Sequence, residues 1–293
     1  MKVLDAIANH LKQNVKLRKN IPQERFVRIE SKPGKIAFVD GGSGIIHSAP
    51  EYCLALLRIY YCIYESNKRI DSRKEEFFVY LSAENNAELS CKFFGKEHEI
   101  IKLQLEEKMP QDYVDVIRKT FELKLAQDIG LNSGDCLILD GDLEAEEQLE
   151  QNEFNKLKAK CKDKGVLLGA LSKTNRFITD KGTAVISDLH KVAPKGVWYY
   201  NHKENVYFTK LHASSKYIFR LDTENPDITG LLIPQSNDAA FLGYPYGLLE
   251  ADARARVTFK EVERLRLLLS MKVKNDSLKA LDAHSVLDRI NKD

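Results

Sequence analysis

One short pattern occurs twice in the sequence: four apolar residues followed by Asp-Gly. The run Ile36–Val39 precedes Asp40, and the run Cys136–Leu139 precedes Asp140. Apolar runs of this kind predict buried strands, and the ligand and catalytic groups of α/β proteins collect where such strands end. Two carboxylates on neighbouring strand ends repel each other unless a cation lies between them. The pattern therefore predicts a divalent-metal site, with two ordinary Asp-Gly turns as the alternative.

Glu122 is a third candidate carboxylate. It lies in a predicted helix from Gln111 to Ile129, beside Phe121 of the apolar stripe and one turn from Arg118. Carboxylates from two strands and a flanking helix offer the hard oxygen ligands that Mg²⁺ or Mn²⁺ prefers. Such an ion polarises a phosphodiester and generates hydroxide near neutral pH. The alternative for Glu122 is an exposed glutamate paired with Arg118.

The predicted elements around these residues form a mixed α/β sheet. Ile36–Val39 is predicted as a short strand that ends at a glycine-rich turn, 41–44, and adjacent strands follow as an antiparallel meander. Further along, strands and helices alternate, and right-handed crossovers place the Asp40 and Asp140 strands side by side. The later strands of the meander are 52–64, 76–81 and 99–105, and the alternating part comprises helix 111–129, strand 136–139, helix 144–164 and strand 166–171.

The last third of the chain has a different pattern. Three short strands predict a β-ribbon over about 196–222, and a long helix is predicted over 248–274 with Val262, Leu265 and Leu269 in its buried stripe. Short helices are predicted at Met1–Lys12 and Asp276–Asp293. The sequence shows no internal repeat or flexible linker, which favours one compact unit.

Composition sets the broad class. The chain has 293 residues, 43% of them hydrophobic and 30% charged, which is typical of a soluble globular protein. The net charge of +2 argues neither for nor against a nucleic-acid partner. The 5 cysteines form no CxxC pair, which indicates a reducing cytoplasm. No signal peptide and no membrane span are predicted.

Five sequence blocks are spread over most of the chain: FVDGGSG at 38–44, RKTFELKLA at 118–126, LILDGDL at 137–143, LGALSKT at 168–174 and GYPYGLLEADARARV at 243–257. In their order and spacing these blocks resemble the NurA nucleases, DNA-repair enzymes with an RNase H-like core. The resemblance implies one nuclease domain over 1–293, with a core at about 35–175 that helix 248–274 completes and the β-ribbon inserted at about 196–222.

The same resemblance implies roles for individual residues. Asp40, Glu122 and Asp140 correspond to core metal ligands, with Asp40 bridging two Mn²⁺ or Mg²⁺ ions. Asp252 stands where many members have a histidine, and it is the expected fourth ligand, with a helix-surface aspartate near Arg256 as the alternative. Lys173 corresponds to a catalytic lysine that neutralises a phosphate, with a surface turn lysine as the alternative.

Two tyrosines are candidates for DNA contact. Tyr244 and Tyr246 flank Pro245 just before the Asp252 helix, and either ring could stack on a base. The alternative is that both rings pack against the core.

The leading interpretation is a metal-dependent DNA nuclease. The resemblance implies 5′-to-3′ exonuclease and single-strand endonuclease activity in double-strand-break end resection, and a homodimer served by the hexameric ATPase HerA. The rival is a non-catalytic DNA-binding or ATPase-docking protein on a degenerate RNase H-like core. Asp40, Glu122 and Asp140 argue against the rival, whereas the difference at Asp252 leaves it open. A nuclease of RNA, or a resolvase, is a further alternative by fold analogy alone.

Overall fold

A computed structural model of the chain describes residues 3–5, 7, 21–84, 88–97, 100–104, 108–173 and 185–273. Its strands are Phe26–Arg28 (β1), Lys35–Ala49 (β2), Tyr52–Glu65 (β3), Lys68–Glu84 (β4), Glu88–Phe94 (β5), Ile101–Gln104 (β6), Cys136–Asp140 (β7), Leu167–Ser172 (β8), Trp198–Lys203 (β9), Val206–Lys210 (β10) and Phe219–Thr223 (β11). Its α-helices include Val114–Gln127 (α1), Gln148–Lys164 (α2), Val185–Val192 (α3), Ile228–Gln235 (α4), Tyr246–Ala255 (α5) and Phe259–Lys272 (α6), and short 3₁₀ turns lie at Gln23–Arg25 and Pro110–Tyr113.

All of these strands belong to one sheet in the order β1-β9-β10-β11-β8-β7-β2-β3-β4-β5-β6. Strands β2 to β6 form an antiparallel meander, while β7 pairs parallel to β2 and β8 pairs parallel to β7. The predicted fold class, an RNase H-like mixed sheet flanked by helices, is confirmed. The predicted adjacency of the Asp40 and Asp140 strands is also confirmed, because Val39 lies opposite Leu139 in the parallel pair.

The central strands are covered on both faces. Val39 and Leu57 point into a core closed by α1 and α2, whereas Phe38 and Tyr60 point into a second core closed by α4 and α5. Burial on both faces explains the nearly continuous apolar sequence of β3. A strand buried on one face only would alternate apolar and polar residues. Side chains of β2 therefore alternate between the α1 face and the α5 face.

The glycine-rich segment after Asp40 is strand and not the predicted turn. Strand β2 continues to Ala49 in antiparallel pairing with β3. A Cβ atom on Gly42 would lie 2.2 Å from the carbonyl oxygen of Ala255, and one on Gly44 would lie 2.6 Å from Cγ1 of Val257. These glycines therefore allow the α5–α6 connection to pack closely against the strand. The prediction of a turn at 41–44 was wrong.

Two helices replace the single helix predicted over 248–274. Helix α5 ends at Ala255, and Arg256 takes an extended backbone with ψ 126°. Arg58, which is buried in β3, donates from Nη1 to the carbonyl oxygen of Arg256 at 2.7 Å. Thr258 then caps α6 by accepting from the backbone N–H of Glu261. A buried long-range contact and a new cap thus divide the helical pattern.

Other boundaries also differ from the prediction: β4 begins at Lys68 and not at 76, and β5 was not predicted. Helix α2 begins at Gln148 and not at 144, and the third ribbon strand begins at Phe219. Strands β9 to β11 extend the main sheet beside β8, and the single-domain division itself stays a prediction. The predicted terminal helix 276–293, and most of 1–12, lie outside the described residues. Among the described helices, none has the length and apolar character needed to cross a membrane.

Candidate metal centre

Three carboxylates meet where β7 ends and β2 continues. Asp40 comes from β2, Asp140 from the last position of β7 and Asp252 from α5, and one carboxylate oxygen of each lies within 4.8 Å of the others. Because β2 and β7 pair in parallel with Val39 opposite Leu139, Asp40 and Asp140 occupy equivalent positions on neighbouring strands. Helix α5 approaches closely because Gly247 has no side chain: a Cβ there would lie 2.0 Å from Cδ2 of Phe38. That approach brings Asp252 over the strand ends.

Asp40 is the most perturbed acid of the cluster. Its side chain is buried, and the backbone N–H of Gly41 donates to Oδ1 at 2.7 Å. Burial first, and then the charges of Glu122 and Asp140, raise the pKa of Asp40 to about 8. Near neutral pH the carboxyl thus retains its proton unless a cation compensates the crowded negative charge. Three converging carboxylates supply hard oxygen ligands, so the residues present fit Mg²⁺ or Mn²⁺.

Glu122 approaches the centre from the opposite face of the sheet. A Cβ on Gly41 would lie 2.3 Å from Oε1 of Glu122, so the carboxylate reaches β2 only because residue 41 is glycine. Arg118 forms an ion pair with Glu122 and donates to the carbonyl oxygen of Gly41 at 3.3 Å. Burial raises the pKa of Glu122, although Arg118 and Lys119 oppose the shift.

The residues of this cluster therefore differ from the ligand set that the resemblance implies. The three acids with converging oxygens are Asp40, Asp140 and Asp252, and Glu122 is not among them. Glu122 lies next to Asp40 and acts on it through its charge. Asp252, which replaces the expected histidine, is one of the converging three. Its pKa is lowered overall, because the Lys173 and Arg256 charges outweigh its partial burial.

Lys173 follows directly after β8 and points its ammonium group between two acids. Its Nζ atom lies 3.2 Å from Oδ2 of Asp140 and 3.1 Å from Oδ1 of Asp252. Burial lowers the pKa of Lys173, but the two carboxylates raise it more, so the amine stays charged. The ammonium group therefore faces the two carboxylates, and the side chain is partly exposed. The ammonium lies where a bound cation would also be attracted.

Tyr244 is a core residue that contacts the cluster. Its side chain is 0% exposed, and its hydroxyl donates to Oδ1 of Asp140 at 2.9 Å. A ring buried to this extent has no face for a nucleic-acid base, so the core-packing alternative describes Tyr244. The hydroxyl contact could not be predicted from the sequence, because the two residues are far apart along the chain. The ring of Tyr246, in contrast, is 41% exposed.

Comparison with known proteins adds information at the level of fold. Neither a protein-family model nor a curated protein matches the sequence. Among solved structures, the NurA nuclease from Sulfolobus solfataricus aligns with a TM-score of 0.59 at 16% identity, covering 94% of both chains. A second NurA structure gives 0.59 at 8% identity over 95% of this chain and 99% of that one. A NurA structure with manganese gives 0.57 at 8% identity over 94% and 99%. The chain has the fold of the NurA nucleases.

Proposed function

We propose that the chain is a divalent-metal-dependent deoxyribonuclease whose active centre is formed by Asp40, Asp140 and Asp252. The observation that carries the proposal is the convergence of these carboxylates within 4.8 Å around a buried acid, Asp40, whose pKa is raised to about 8. Perturbed acids that cluster in this way are a mark of functional sites. The NurA fold, which has been solved with manganese in one relative, supports the same choice of metal.

Each residue of the centre has a proposed task. Asp40, Asp140 and Asp252 would hold a first ion, and Glu122 beside Asp40 would contribute to a second. Bound Mn²⁺ or Mg²⁺ supplies Lewis-acid polarisation of the phosphodiester and an activated water. Lys173 exchanges its carboxylate partners for a phosphate oxygen of the substrate, which its ammonium neutralises. The Lys173 ammonium is already positioned for this exchange, because Nζ lies 3.2 Å from Oδ2 of Asp140.

The finer assignment follows the family resemblance. We propose 5′-to-3′ exonuclease and single-strand endonuclease activity in double-strand-break end resection, by a homodimer working with a HerA-type ATPase. The five cysteines are free and buried, which agrees with action in the reducing cytoplasm. The nuclease domain is proposed to span 1–293, with the core at 35–175, the strands within 196–222 and the helical segment 248–274 as its parts.

The test is cleavage of labelled single-stranded DNA, duplex DNA and RNA by purified protein, with Mn²⁺ or with chelator. We expect Mn²⁺-dependent loss of DNA that is abolished in Asp40→Ala and Asp140→Ala. Asp163→Ala, an exposed aspartate on α2, is the matched control and should cleave normally. DNA that stays intact with every metal, alone and with the ATPase, would refute the proposal. Binding without cleavage would then favour the non-catalytic rival.

A further inference from the structure

A wide groove lies beside α5, on the side of that helix away from the metal centre. It has a volume of about 1150 Å³ and runs between the β3–β4 turn, the segment after α4 and α5 itself. Helix α5 lines it with Tyr246, Glu250 and Arg254, which recur at the spacing of one helical face. Asp252 points from another face of the same helix toward the carboxylates. We infer that this groove binds a single-stranded segment of DNA.

Tyr246 provides a stacking surface at one end of the groove. Its ring is 41% exposed, and it packs perpendicular to the buried ring of Tyr64 with the ring centroids 6.0 Å apart. A ring that a neighbour holds in place while its surface remains accessible loses little entropy when a base stacks on it. Stacking of this kind tolerates any base and contributes much of the affinity of single-strand binding sites.

Arg254 provides a charge at the other end. Its side chain is exposed and forms no ion pair with any residue in the described part of the chain. The acid between the two ends, Glu250, is neutralised: it pairs with Arg69 and accepts hydrogen bonds from the hydroxyls of Tyr60 and Tyr64. A phosphate near Arg254 therefore meets an uncompensated cation and not the Glu250 charge.

Amide groups complete the wall opposite α5. Gln235 donates to the side-chain oxygen of Asn67 at 2.9 Å, and the exposed Asn237 follows on the same rim. Asp238 uses one carboxylate oxygen to accept from the backbone N–H of Ala240. An aromatic ring, the exposed amide of Asn237 and the guanidinium of Arg254 match the base and backbone groups of an unpaired strand. The near balance of charge indicates that stacking contributes more than counterion release.

The dimensions connect the groove with the metal centre. Tyr246 and Arg254 lie about two turns apart on α5, which corresponds to about 12 Å along the axis. Arg254 lies two positions beyond Asp252, at the end of the helix nearest Arg256. A strand in the groove would therefore pass the C-terminal end of α5 to reach the carboxylates. This path rests on the proposed nuclease function, whereas binding in the groove does not require cleavage.

Affinity for a fluorescent single-stranded oligonucleotide, measured by anisotropy in EDTA, tests the stacking contact. Tyr246→Ala is expected to weaken binding about tenfold, as loss of one base–aromatic stack does. Tyr246→Phe keeps the ring and should stay within about twofold of the unaltered protein, which separates stacking from loss of the hydroxyl. Phe94→Ala removes an aromatic ring of similar exposure (46%) on β5 and is the control, with no expected change. Equal affinity of the Ala variant and the unaltered protein would overturn the inference.

The salt dependence of the same binding tests the cation. Arg254→Gln should reduce the slope of log affinity against log salt by about 0.7, the value for one phosphate contact on a single strand. Arg28→Gln, at an exposed arginine on β1, should leave the slope unchanged. An unchanged slope in Arg254→Gln would remove the phosphate contact from the proposal. Cleavage with no effect of Tyr246→Ala on affinity refutes the groove alone, whereas a tenfold effect without cleavage refutes the nuclease alone.

Discussion

At the scale of single residues, the centre contains acids whose pKa values are shifted in opposite directions. Asp40 has a raised pKa because it is buried beside two other carboxylates, whereas Asp252 has a lowered one because Lys173 and Arg256 outweigh its burial. Asp40 and Asp140 were identifiable in the sequence from their positions after apolar runs, and Asp252 was identified through the family resemblance. Their tertiary contacts, such as the Tyr244 hydroxyl on Asp140, were not identifiable, because folding brings together residues that are far apart along the chain.

The raised pKa of Asp40 predicts a pH-dependent stability of the metal-free protein. Between pH 4 and 8 the folded state keeps a proton that the unfolded state releases, so stability falls as pH rises through this window. Asp40→Asn removes the penalty, and we expect it to raise the free energy of unfolding by about 2 kcal/mol or more at pH 8.5 and by less at pH 5. Urea unfolding in EDTA measures this. Asp163→Asn is the control, and a gain that is equal at both pH values would contradict the assignment.

Metal affinity is predicted to depend on pH for the same reason. Asp40 must lose its proton before it can act as a ligand, so protons compete with Mn²⁺ below pH 8. The apparent affinity should fall about tenfold for each pH unit below that value when one proton is displaced. Calorimetric titration with Mn²⁺ at pH 8, 7 and 6 gives the slope. A constant affinity over this range would show that the ion binds without Asp40.

At the scale of elements, the adjacency of the Asp40 and Asp140 strands followed from the sequence, whereas strand β5 and the place of β9 to β11 in the main sheet did not, and neither did two local features. Apolar runs identified β2, β3, β7 and β8, and the crossover rule placed β2 next to β7. The glycines after Asp40 resemble a turn in sequence, yet they remain in β2 because a helix connection packs on them. The break between α5 and α6 depends on Arg58, which is distant in sequence. Both departures arise from tertiary contacts that local propensity does not encode.

Gly42 is predicted to set the distance between β2 and the α5–α6 connection. Gly42→Ala places a Cβ 2.2 Å from the Ala255 carbonyl oxygen, so backbone must shift and α5 must move with it. We expect a loss of about 1–3 kcal/mol in the free energy of unfolding, in the range of overpacking effects, and weaker Mn²⁺ binding through displacement of Asp252. Gly130→Ala, where a Cβ would have no atom within 4 Å, is the matched control. Equal effects of the two substitutions would contradict this role for Gly42.

At the scale of the whole molecule, the position of the centre follows from the sheet. The antiparallel meander and the parallel strands join at β2 and β7, and β2 continues beyond the last residue of β7. Helices on both faces of the sheet reach this point: α1 brings Glu122 from one side, and α5 brings Asp252 from the other. The NurA fold could be anticipated from the sequence blocks. The resemblance anticipated Asp252 as a ligand, but that Asp252 and not Glu122 converges with the strand carboxylates required the three-dimensional arrangement.

The most direct test of the account is the location of Mn²⁺ by anomalous diffraction from crystals of the protein grown or soaked with manganese at pH 8 or above. We predict an anomalous peak bound by carboxylate oxygens of Asp40, Asp140 and Asp252, with the Lys173 ammonium displaced from its present position between Asp140 and Asp252. A manganese ion bound elsewhere, with Lys173 still paired to both carboxylates, would contradict the assignment of the centre.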